Sequence, residues 1–137
     1  MTRARVVVVT IVVVVVAAIM LPLVWSWTSV PFAPNSRRFD AAAKYVLSVR
    51  PVPGKWDQEV KLPLRFAWLT KGYPVAVFEH NGHRFLYFPQ FEEDADSYVG
   101  YFFSIDGSSP GTMLFGAKRI SAQWWDGSLS EQFLAGG

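Results

Sequence analysis

Residues 75–88 read VAVFEHNGHRFLYF, and the reading of this stretch decides the fold. Asn81-Gly82 is the dipeptide that best accepts positive φ at both central positions of a two-residue hairpin turn, and its flanks are rich in β-branched and aromatic residues. A two-residue turn fixes the register. It sets His80 opposite His83, Glu79 opposite Arg84, Phe78 opposite Phe85, Val77 opposite Leu86 and Ala76 opposite Tyr87. Glu79 and Arg84 are then expected to pair across the strands near the tip. Alternation puts Ala76, Phe78, Phe85 and Tyr87 on one face and Val75, Val77, Leu86 and Phe88 on the other, so both faces are apolar.

Working outward, Phe91–Ser97 is an acidic connection and Tyr98–Ile105 (YVGYFFSI) reads as the next strand. Asp106–Gly111 (DGSSPG) is turn-rich, and Thr112 to about Ser121 reads as a fifth strand. Trp124-Trp125 leads to Ser128 and Glu131 at capping-box spacing, which predicts a short final helix carrying Leu129, Phe133 and Leu134. Upstream of the hairpin, Val60, Leu62, Leu64, Phe66 and Trp68 alternate with other residues as a strand would, and Pro63 places that strand at a sheet edge. Earlier still, Asn35 or Ser36 stands where an N-cap belongs. Phe39, Ala43, Val46 and Leu47 follow at helical spacing, and Pro51 and Pro53 end the helix, giving an amphipathic segment over residues 37–49.

Everything before that helix is governed by Val6–Val30, VVVVTIVVVVVAAIMLPLVWSWTSV, which has no ionisable side chain. At about 1.5 Å of rise per residue such a run crosses the roughly 30 Å hydrocarbon core of a bilayer. Arg3 and Arg5 give it the basic start of a signal sequence. The run continues, however, past the usual apolar length of a cleaved signal, and Trp25 and Trp27 stand where small residues would precede a cut. Indole rings favour the headgroup boundary, so Trp25 and Trp27 are expected to mark the far membrane interface. Arg3 and Arg5 abut the run, whereas Arg37 and Arg38 begin farther off, which orients the C-terminal domain away from the cytoplasm. The absence of cysteine is compatible with an oxidising compartment.

The expected organisation is a basic tail at residues 1–5, a membrane anchor at 6–30, a Pro-rich linker at 31–36 and one domain at 37–137. The fold class is α+β: after the N-terminal transmembrane helix, one amphipathic helix packs on a roughly five-stranded antiparallel meander sheet. That order of elements resembles cystatin-like helix-on-curved-sheet folds, a likeness that implies nothing about function.

Composition removes one class of function. Once Arg3 and Arg5 are set aside, eleven Lys and Arg balance eleven Asp and Glu, and a neutral domain lacks the phosphate-neutralising surface that nucleic acid requires. The balance is uneven along the chain. Residues 31–71 hold eight cations and three anions, while residues 72–137 hold three and eight, so the basic half adjoins the lipid in sequence.

For chemistry, His80 and His83 face each other across the hairpin and make a weak candidate metal pair, since no third ligand is fixed by spacing. Glu92–Asp96 lacks the ligand alternation and glycine of an EF-hand loop. There is no cysteine nucleophile, no Gly-x-Ser-x-Gly elbow and no phosphate-binding glycine loop. No catalytic residue and no cofactor is therefore assigned. The aromatic excess is the feature that asks for a partner. One helix can cover one sheet face only, and the other is expected to carry contacts through Tyr101, Phe103, Val99, Leu86 and Phe88. These observations make the chain a single-pass cell-membrane protein whose domain is an interaction module of an envelope assembly. Its partners are the bilayer and a protein or a second copy. The alternatives are a tethered small-ligand binder using an aromatic sheet face, and a small hydrolase or metal-dependent enzyme.

Overall fold

A computed structural model describes residues 2–49, 58–94 and 97–130, with the side chains of residues 23–26 excepted. The N-terminal helix α1 (Arg3–Ser26) stands outside the packed domain, with the valines of residues 6–16 about half exposed. The segment Arg3–Pro22 is long and apolar enough to cross a membrane. Helix α2 (Ser36–Val49) follows a 3-10 turn at Ala33–Asn35, and its buried residues are Phe39, Ala42, Ala43 and Val46. The helix and its stripe are as the spacing predicts; the expected stop at Pro51 and Pro53 lies outside the described residues.

The remaining elements are β1 (Gln58–Val60), α3 (Leu64–Ala67), a 3-10 turn at Trp68–Thr70, then β2 (Val75–His80) and β3 (His83–Asp94). Next come β4 (Ser97–Ser104), a 3-10 turn at Gly111–Met113, β5 (Leu114–Arg119) and β6 (Trp124–Ser130). They form one antiparallel sheet of six strands in the order β1-β2-β3-β4-β6-β5.

The hairpin forms at Asn81-Gly82, with φ of 52° and 78°, in the register the turn dictates. The Glu79–Arg84 pair closes at 3.6 Å on the surface. Three expectations give way. The run Val60–Trp68 is strand only at Val60, the last residue of the edge strand β1. Pro63, extended at ψ 164°, stands at the N-cap of α3, the chain turns helical, and Lys71 in the left-handed region ends the next turn. Leu64, expected on a core face, is 95% exposed. The acidic stretch after Phe91 is not a loop either, because β3 continues to Asp94. Finally, Ser128 and Leu129 belong to β6, a strand inserted between β4 and β5, so the sheet is not a simple meander. Glu131, Phe133 and Leu134 lie outside the described residues.

Both sheet faces are closed. Beneath α2 lie Val75, Val77, Leu86, Phe88, Tyr101, Phe103 and Trp124. The opposite face gathers Ala76, Phe78, Phe85, Tyr87, Phe102, Trp125 and Leu129, joined by Met113 and Leu114 from the chain entering β5. Gly100 and Gly127 pair directly across β4 and β6 on the path of the Tyr87 ring. The Tyr87 hydroxyl reaches the carbonyl oxygens of Tyr98 at 2.9 Å and Gly127 at 3.0 Å. A Cβ on Gly100 would collide with the Phe88 carbonyl oxygen and crowd the Tyr87 hydroxyl. Gly100→Ala is therefore expected to cost the full chain at least ~2 kcal/mol in urea unfolding, since backbone cannot yield as a flexible side chain does.

Candidate functional site at the anchor junction

Pro89 interrupts a central strand, where it cannot donate to the ladder, and the ladder answers with a bulge. Pro89 pairs with Gly100 and Phe91 with Val99, leaving Gln90 without a partner in the register. Released from the ladder, Gln90 is fully buried yet polar. Its amide is satisfied by the chain arriving from α1. The Val30 N–H donates to Gln90 Oε1 at 2.8 Å, and Gln90 Nε2 donates to the Leu69 carbonyl at 2.6 Å. The other side of Val30 is held as well: the Tyr101 hydroxyl donates to its carbonyl at 2.7 Å. Burial pushes the Tyr101 phenol up to about 12, so it stays a donor across the physiological range.

Two residues on, Phe32 inserts among aromatic rings, with centroids 5.3 Å from Phe39, 5.4 Å from Tyr101 and 5.1 Å from Trp124. Trp124 is fixed in turn by its indole N–H, which donates to Asp40 at 2.8 Å. Val30 and Phe32, expected as the end of the anchor and the start of a linker, are thus core residues at 1% and 8% exposure. Only residues 27–29 separate the last turn of α1 from this lock. Within them the Thr28 carbonyl accepts a hydrogen bond from the Lys71 ammonium, whose pKa partial burial lowers. Trp27 is 66% exposed just beyond the helix end, while the Trp25 side chain lies outside the described residues.

The residues expected on an open face lie elsewhere. Leu86 and Phe88 are fully buried, Tyr101 and Phe103 are 6% and 8% exposed, and all four sit beneath α2. Val99, half-buried, pairs with Phe91 at the bulge. The face assignment is corrected: the helix covers the very side that was expected to be left open, where Phe39 of α2 and Phe32 pack against Tyr101 and Trp124.

His80 and His83 pair in register as the turn requires. Among the described residues, no group of three or more His, Asp and Glu is placed to hold a metal ion. His83 Nδ1 instead lies 2.6 Å from Asp106 Oδ2 and 2.9 Å from Ser108 Oγ. These three residue types suggest nucleophilic catalysis, but the geometry does not. A relay needs the hydroxyl and the carboxylate on opposite ring nitrogens, and here both address the same one. The arrangement pins the hairpin tip to the β4–β5 connection, and the His83 contact holds the exposed Asp106 carboxyl well below the usual carboxylate range. At the far end of β3 a shallow cleft of about 550 Å³ is lined by Glu93, Asp94, Ser97, Phe115, Gly116, Ser128 and Ser130. Its carboxylates are engaged at 2.9 Å by Ser128 and 3.2 Å by Ser97.

No family model, no curated protein and no solved structure matches this chain.

The junction makes a direct prediction. Gln90→Leu leaves the Val30 N–H and the Leu69 carbonyl buried without these partners, at about 1–3 kcal/mol for each unsatisfied group. Tyr101→Phe removes one bond and is expected to cost less. Denaturant unfolding of the full chain in detergent micelles measures both.

Proposed function

We propose that this chain is a single-pass membrane protein in which α1 spans the bilayer and the α+β domain, outside the cytoplasm, is an interaction module of a cell-envelope assembly. The observation that supports this reading best is the Val30 lock. A domain that needs only to be kept near a membrane can hang on a flexible leash, as Gly- and Ser-rich linkers allow. Here the chain passes from α1 into the aromatic core within residues 27–29, with both backbone groups of Val30 bonded. Such a mount gives the domain a fixed height and attitude, which matters when neighbours in an assembly must meet it in one geometry.

The flanks of α1 support the orientation. Arg3 and Arg5 precede the apolar run at once, and Trp27 stands exposed at its other end, where an indole suits the headgroup layer. The partner face first expected on the sheet is not part of the reading, because those side chains fill the core.

Topology tests it. The chain has no cysteine, so Ser121→Cys, in the exposed turn between β5 and β6, supplies a single thiol. It is expected to react with a membrane-impermeant maleimide in intact cells once outer barriers are permeabilised. Reaction only after lysis of the inner bilayer would reverse the orientation, and a mature N-terminus near Ser29 would show that α1 is removed.

A further inference from the structure

The junction also holds a short helical segment. Residues 60–71 contain three cations, Lys61, Arg65 and Lys71, and no anion. The segment is bound to the anchor exit at two points, through Lys71 on the Thr28 carbonyl and through the Leu69 carbonyl on Gln90. One α-turn and one 3-10 turn, about 12 Å of rise, separate Leu64 from Lys71. Its outward side is unusual for a water-facing surface: Leu64 is 95% exposed and Trp68 37%. Arg38 of α2 lies over the Trp68 ring at 5.4 Å, and Arg65 lies over Tyr45 at 5.5 Å and Phe66 at 5.0 Å.

We infer that the segment Lys61–Lys71 is an interfacial element that lies on the bilayer and binds anionic phospholipid headgroups, with Leu64 and Trp68 seated among the glycerol and upper acyl groups. The inference rests on the reading of α1 as a membrane span. Three features favour lipid over an acidic protein. The segment ends, at Leu69 and Lys71, against the anchor exit; it combines an exposed leucine and indole with guanidinium and ammonium groups, the composition of interfacial helices; and the polar layer of a leaflet is about 5–8 Å deep, so the end tied to the helix exit lies at that layer. Asp40 is turned to the Trp124 indole, and Glu92 accepts from the Tyr98 hydroxyl at 3.0 Å. Glu59 remains exposed at the start of the segment.

Each cation near an anionic surface adds roughly 1 kcal/mol of attraction, about a fivefold change in partitioning. Lys61, Arg65 and Arg38 together therefore make the contact depend on lipid charge. The full chain carrying one nitroxide label, at L64C, S121C or V12C, is reconstituted in vesicles of phosphatidylcholine alone or mixed with phosphatidylglycerol. Collision with oxygen, which concentrates in lipid, is compared with collision with a water-soluble nickel complex. The L64C label is expected to show a several-fold higher oxygen-to-nickel ratio than the S121C label. The excess should grow with phosphatidylglycerol, and R38Q/K61Q/R65Q should abolish that growth. An L64C label as water-exposed as S121C, with V12C lipid-buried, overturns the inference while leaving the membrane span intact, and assigns the basic surface to an acidic protein instead. A V12C label exposed to water overturns both.

Discussion

The peptide groups on either side of Val30 are the constraint on which the rest depends. A chain that leaves a helix and plunges into an apolar core carries its N–H and C=O groups with it, and each must find a partner or destabilise the fold. In this protein the two partners are side chains, the Gln90 amide and the Tyr101 hydroxyl. Gln90 reaches inward through the irregularity at Pro89. The bulge frees Gln90 from the ladder and turns its amide inward, and the same residue then ties down Leu69. One defect in a central strand thereby joins three stretches distant in sequence: the exit from α1, the turn after α3, and the middle of the sheet.

The aromatic excess has a corresponding explanation. A six-stranded sheet apolar on both sides needs two covers, and the chain supplies them unequally. Helix α2 and the Val30–Phe32 segment close one side with a cluster in which Phe32, Phe39, Phe88, Tyr101, Phe103 and Trp124 contact one another at offset or edge-on angles. The other side is closed with the help of Met113 and Leu114, and by the Tyr87 ring lying across the Gly100–Gly127 pair. Burying these rings accounts for the composition without an external partner. Beyond α1, the large apolar side chains left exposed among the described residues are Trp27, Val49, Leu64, Trp68, Phe115 and Ile120.

Much of this was legible because it rests on local rules. Asn81-Gly82 fixed a turn, and with it the whole β2–β3 register; the spacing of Phe39, Ala43 and Val46 marked α2; unbroken apolarity marked α1. What failed were readings in which one periodicity competes with another. Val60–Trp68 alternates like a strand, yet Pro63 can stand at a helix N-cap as well as at a sheet edge, and Lys71 can close a turn. Ser128 and Glu131 have capping spacing, but β6 gains two strand neighbours that a helix would forgo. The junction was missed outright, although Pro89-Gln90 carried a signal: a proline and an amide in the middle of an aromatic strand call for a bulge and for something to bond the amide. Which face α2 would cover was not legible, because both faces read alike and the choice is made by Phe32, a residue assigned to the linker.

The central claim is that anchor and domain form one rigid body through Val30. Double electron–electron resonance between nitroxides at V16C on α1 and S121C on the domain, in the full chain in vesicles, tests it most directly. The account predicts a single narrow distance distribution that broadens when Gln90→Leu is added. A broad distribution in the otherwise unaltered chain would contradict it, since it would mean that residues 27–29 act as a leash and that the lock does not transmit to the membrane span.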